Sequence, residues 1–140
     1  MRKVHLLFPV LLLLALTGIQ NKCYAQSEPV LYFCEKYTDD GEVGVSDRFT
    51  TGYLTVMVKS STELGLTNCH IQLDLYNEST GKFDFYKKFD YKIDSDSKYV
   101  FFTKNEDSDM SFEKPGFYRV FLLNKKDKTV ASALVQIVEK

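Results

Sequence analysis

The stretch Phe83-Asp84-Phe85-Tyr86-Lys87-Lys88-Phe89-Asp90-Tyr91-Lys92-Ile93-Asp94 decides the fold class. Phe83, Phe85, Phe89, Tyr91 and Ile93 are set against Asp84, Lys88, Asp90, Lys92 and Asp94. Successive side chains of an extended chain point to opposite faces, so this period of two predicts a strand with one aromatic and one charged face. Tyr86 and Lys87 interrupt the alternation. A β-bulge or an edge position accounts for such a break. No segment of the chain sustains the three-and-four spacing of an amphipathic helix.

On its N-terminal side, Asn77 to Lys82 carries Ser79, Thr80 and Gly81 and reads as a turn. Cys69, Ile71, Leu73 and Leu75 before it alternate with His70, Gln72, Asp74 and Tyr76. A strand is expected over Phe49 to Lys59, with Leu54, Val56 and Val58 opposite Tyr53, Thr55 and Lys59. Val30 to Cys34 reads as a first strand, and residues 38–48, dense in Asp, Gly and Ser, as a loop. On the C-terminal side come a short strand Tyr99 to Thr103 and an acidic loop Lys104 to Ser111. Strands Phe117 to Asn124 and Thr129 to Val138 follow, joined by the charged turn Lys125 to Lys128. About seven short strands with regular turn signals predict an all-β antiparallel sandwich rather than an α/β fold.

The first 25 residues have a different logic. Arg2 and Lys3 precede an apolar run from Leu6 to Leu16, and polar and small residues lead to Ala25. This is the charged, apolar, small order of a secretory signal peptide. A membrane span needs roughly 20 apolar residues, and Pro9 further weakens this run as a helix. Cleavage after Ala25 is expected, leaving residues 26–140 as one secreted or periplasmic domain. Cys23 follows Gln20-Asn21-Lys22, which does not resemble a lipobox.

Three of the 18 Lys and Arg and none of the 19 Asp and Glu fall in residues 1–25, so the remainder is acidic by four charges. With no basic cluster to neutralise phosphates, nucleic acid is not an expected partner. No membrane association is expected once the signal is removed. Cys34 and Cys69 survive cleavage, and in an oxidising compartment such a pair reads first as a disulfide.

Gly116-Phe117-Tyr118-Arg119-Val120 resembles the Gly-x-Tyr-x-Cys pattern in the penultimate strand of immunoglobulin-like sandwiches, with Val120 at the cysteine position. Gly52, Leu54, Val56 and Val58 look like the second strand of such a domain. The resemblance implies an immunoglobulin-like or fibronectin-like sandwich over most of residues 29–138. It implies that Tyr118 packs inward and hydrogen-bonds back to the preceding backbone. The inter-sheet disulfide of that family and its packed tryptophan are missing here. A fold-level resemblance carries no catalytic residues.

The residues themselves point away from catalysis. His70 is the one histidine after cleavage, and Cys69 beside it on a strand points to the opposite face. No nucleophile elbow or zinc-protease motif occurs. Asp39, Asp40, Glu42, Asp47, Asp94, Asp96, Glu106, Asp107 and Asp109 lie in loops, where Asp also simply favours turns. A calcium site at Asp94–Ser97 or Glu106–Asp109 lacks EF-hand spacing. No enzyme activity, metal or cofactor is expected. With Tyr118, Val120 and Leu122 inward, Phe117, Arg119, Phe121 and Leu123 face outward, a composition suited to a protein interface. The expected function is a non-catalytic module binding a protein partner through that sheet face. A carbohydrate-binding module stacking sugars on Tyr53, Tyr76 or Tyr86 is the alternative, and a small hydrolase with an acidic loop site ranks below both.

Overall fold

A computed structural model describes residues 28–140. The signal peptide expected over residues 1–25 and its cleavage after Ala25 lie outside the described residues. The described residues form an all-β sandwich of ten strands. One sheet holds β1 (Val30–Cys34), β5 (Thr55–Lys59) and β8 (Tyr99–Phe102) in the order β1-β5-β8. The other, in the order β4-β10-β9-β6-β7, holds β4 (Arg48–Thr50), β6 (Asn68–Asn77), β7 (Lys82–Lys92), β9 (Gly116–Asn124) and β10 (Thr129–Val138). A small hairpin of β2 (Lys36–Thr38) and β3 (Gly41–Val43) forms a separate two-stranded sheet.

The inner faces share one core. Leu31, Phe33, Val56, Val58 and Phe102 from the three-stranded sheet meet Ile71, Leu73, Val120, Leu122, Val135 and Ile137 from the five-stranded sheet. Met110, within the acidic loop expected over Lys104 to Ser111, and Phe112 just after it are fully buried in the same core. Val56, Val58 and Val120 all lie in this cluster, where burial and dispersion hold the two sheets together. The Tyr118 hydroxyl donates to the Lys114 carbonyl at 2.8 Å, the bond that the resemblance implies.

Four expectations need correction. The strand expected over Phe49 to Lys59 is two strands in different sheets. Gly52, at φ 140°, breaks it and exchanges two backbone hydrogen bonds with Phe112 (3.0 and 2.9 Å). The sandwich is not wholly antiparallel, because β4 runs parallel to the end of β10 (Ile137 opposite Phe49). Residues 38–48 are not simply a loop: Asp39-Asp40 turns β2 into β3, with Gly41 at φ 107° where a β-carbon is disfavoured. That hairpin covers the outer face of the three-stranded sheet, so Met57 is buried although its neighbours Val56 and Val58 fill the core side. Tyr37 of β2 stacks on Phe101 at 4.6 Å.

The fourth correction concerns β7. Leu73 pairs with Lys87 but Asp74 with Phe85, so Tyr86 is the extra residue of a bulge. The bulge changes the phase of the strand. Phe89, Tyr91 and Ile93 pack on the core, whereas Phe83 and Phe85 emerge on the outer face beside Tyr76 and Asp74. Lys87 falls on the inner row, where its amine reaches Glu113 at 2.7 Å past the edge of the sheet.

Candidate functional site

The outer face of the five-stranded sheet brings together what the sequence spreads over 60 positions. On β9, Phe117, Arg119 and Phe121 alternate with the buried Tyr118, Val120 and Leu122. Across the ladder Asp74 of β6 lies opposite Arg119, with Phe85 of β7 beyond it and Leu134 of β10 on the other side. Phe85, Phe117 and Leu134 are 65%, 50% and 56% exposed, which makes this the largest concentration of uncovered apolar side chains on one sheet face among the described residues.

Arg119 organises that face. Its guanidinium carbon lies 4.9 Å from the ring centres of both Phe83 and Phe121. Its Nη2 lies 3.6 Å from Asp74 Oδ2, and Gln72 donates to the other oxygen of that carboxylate at 2.8 Å. Asp74 is only 7% exposed. The guanidinium is therefore fixed from below by a carboxylate and from two sides by rings. Its Nε is screened from solvent and has no hydrogen-bond partner among the described residues. Tyr76 meets Phe83 edge-on at 5.3 Å and extends the aromatic row.

Of the four outward residues expected from sequence, Phe117, Arg119 and Phe121 contribute to this surface. Leu123 shares the face but is only 5% exposed, so it offers no contact area. Phe83, Phe85, Asp74 and Leu134 complete the surface without being marked for it by the sequence pattern. The bulge signal at Tyr86–Lys87 could have found the first two, since one extra residue must flip everything beyond it.

The expected disulfide is not formed: Cys34 and Cys69 are both free and buried. Phe33 enters the core, so Cys34 next to it on β1 points to the opposite face, where its thiol faces the Lys36 carbonyl at 3.4 Å. Cys69 lies within the core and faces the Tyr91 carbonyl at 3.7 Å. The three-stranded sheet thus stands between the two thiols. Burial pushes the Cys69 thiol up to about 11 and also raises Cys34.

The three tyrosines considered for sugar stacking stand in separate contacts. Tyr53 lies under the Lys104 amine at 4.5 Å, and Tyr86 packs edge-on against buried Tyr118 at 5.7 Å. Tyr76 alone belongs to the outer face. His70 is not a freely solvated side chain: Nδ1 is 2.6 Å from Asp90 Oδ1 and Nε2 is 3.8 Å from Asp127 Oδ1. The carboxyls displaced from their ordinary range (Glu42, Asp109, Glu113 and Asp127) are all displaced downward by hydrogen-bonded partners, mainly lysines or, for Glu42, Tyr32. A general acid needs the opposite displacement. Among the described residues no three His, Cys, Asp or Glu side chains gather as a metal site, and no helix is long and apolar enough to cross a membrane.

No family model and no curated protein matches the sequence. Among solved structures, the superoxide reductase (neelaredoxin) from Ignicoccus hospitalis is similar at 11% identity and a TM-score of 0.39, over 79% of this chain and 80% of that one. A likeness at that level carries no argument about activity.

Proposed function

We propose that this chain is an extracytoplasmic, non-catalytic module that binds a protein partner through the outer face of its five-stranded sheet. The observation that carries the reading is the exposed aromatic surface built around Arg119. Protein interfaces are enriched in aromatic residues and arginine, and their centres hold side chains already fixed before binding. Arg119 meets that description, since Asp74, Phe83 and Phe121 hold it in place and little side-chain entropy is left to lose on association. Export follows from the charged, apolar and small order of residues 1–25.

Affinity capture from the native secretome or envelope tests the reading, with the purified protein as bait and Phe117→Asp and Arg119→Ala variants alongside. Circular dichroism checks that each variant keeps its strand signal. The expected result is a partner retained by the wild type and lost from both folded variants. Equal retention by wild type and variants would overturn the assignment of this face, and binding to a glycan array without a protein partner would replace it with carbohydrate recognition.

A further inference from the structure

We propose that the cleft at one end of this face receives a basic side chain, lysine or arginine, from the protein partner. The proposal rests on the reading of the face as a docking surface and specifies the chemistry of what docks there. The cleft has a volume of about 480 Å³. It opens between the end of β6, the start of β9 and the segment Gln136–Glu139. Tyr76 and Phe117 line it and also belong to the aromatic face, so the two are continuous.

The lining has the layered polarity of a site for a long cationic side chain. Leu75 and Val138, both part-buried, supply apolar wall suited to the methylene stem of lysine or arginine. Tyr76 and Phe117 supply rings, whose faces attract a cation. Glu78 and Glu139 supply two carboxylates at the same cleft. Neither has a cation within ion-pair distance among the described residues. No lysine or arginine lines the cleft. The basic residues next in sequence to Pro115 and Glu139 have other surroundings: Lys114 lies over the Tyr86 ring at 5.5 Å, and Lys140 lines a different cleft beside β4. A partner's ammonium or guanidinium would supply the missing charge, whereas an acidic side chain would meet two like charges. Arg119 lies outside the cleft lining and is already matched by Asp74, so it does not satisfy these carboxylates.

Nuclear magnetic resonance with two probes tests this. N-acetyl-lysine methylamide and N-acetyl-norleucine methylamide differ chiefly in the terminal ammonium, and each is titrated into the 15N-labelled protein. The expected result is saturable shifts of the Leu75, Gly116 and Phe117 amides, with the lysine probe bound about fivefold more tightly, roughly 1 kcal/mol at 25 °C. The Glu78→Gln, Glu139→Gln double variant should keep its spectrum elsewhere and lose that preference. Equal affinity for the two probes, a preference unchanged in the double variant, or no shift at those amides each overturns the cationic site. The wider reading is separable from it: partner capture that depends on Phe117 and Arg119 but not on Glu78 and Glu139 would leave the docking face standing and remove its cation pocket.

Discussion

Arg119 Nη2 lies 3.6 Å from Asp74 Oδ2, directly across the β6–β9 ladder on a sheet face that is otherwise mostly aromatic. The carboxylate is nearly covered while the guanidinium is part exposed, so the pair is asymmetric. Removing Arg119 leaves a shielded charge with Gln72 as its remaining partner. Removing Asp74 frees the arginine to swing away from Phe83 and Phe121. Solvent screening limits each effect. Asp74→Ala and Arg119→Ala are each expected to cost about 1–2 kcal/mol in urea denaturation. The double variant should cost clearly less than their sum, because both changes break one interaction. Additive losses would show that the two side chains are not coupled.

Tyr118 ties the start of β9 to the loop before it. Its ring is fully buried between Phe112 and Tyr86, and its hydroxyl reaches the Lys114 carbonyl. Tyr118→Phe keeps the ring and strands that carbonyl, at an expected cost of about 1–2 kcal/mol. The denaturation midpoint should fall without a change of slope. Burial also pushes the Tyr118 hydroxyl up to about 12. The same variant should therefore remove one late-titrating tyrosine from an alkaline absorbance titration of the wild type. An unchanged midpoint would mean that the bond adds no net stability.

The parts legible in the sequence are those in which a single strand decides its own pattern. β6 and β9 alternate cleanly because each has one face in the core, and both were read with the correct face inward. The hairpin β2–β3 leaves no periodic signature, although Asp40-Gly41 is itself a turn signal, because its strands are three residues long and too polar to show one. The burial of Met57 was not legible, since the cover comes from that hairpin, distant in sequence. The bulge at Tyr86 was visible as a broken pattern, but its consequence was not. Periodicity locates an irregularity and does not say which half of the strand changes face, and that choice decides whether Phe83 and Phe85 build the core or the candidate site. The state of the two cysteines is not legible, because composition and compartment say nothing about which sheet face each thiol occupies.

The two thiols give a direct chemical test of that correction. Burial holds Cys34 and Cys69 out of solvent and disfavours the thiolate in both, most for Cys69. The thiolate is the reactive form. Iodoacetamide near neutral pH should therefore leave both unmodified in the native protein and alkylate both in denaturant without added reductant. A disulfide would instead block both in denaturant until reduction, and rapid labelling of the native protein would contradict their burial.

Glu42 on β3 accepts hydrogen bonds from the Tyr32 hydroxyl and from Lys59 Nζ (3.1 Å), and so fastens the hairpin to the three-stranded sheet. The bonds from Tyr32, Tyr99 and Lys59 favour its charged form and lower its carboxyl from 4.5 to about 2. A carboxyl that is more acidic folded than unfolded contributes stability in full above its unfolded value. That contribution is lost as pH falls through the folded value. The advantage of the wild type over Glu42→Gln should thus be constant above about pH 5.5 and shrink between about pH 4.5 and 2. Burial and the bond to Glu42 raise the Tyr32 hydroxyl to about 12, so a second loss should come as pH rises from about 10 toward 12. Denaturation across both ranges, with amide exchange of residues 36–43 as the local readout, measures this. A wild-type advantage that stays the same from pH 6 to about pH 2 would show that the fastening does not depend on the Glu42 charge.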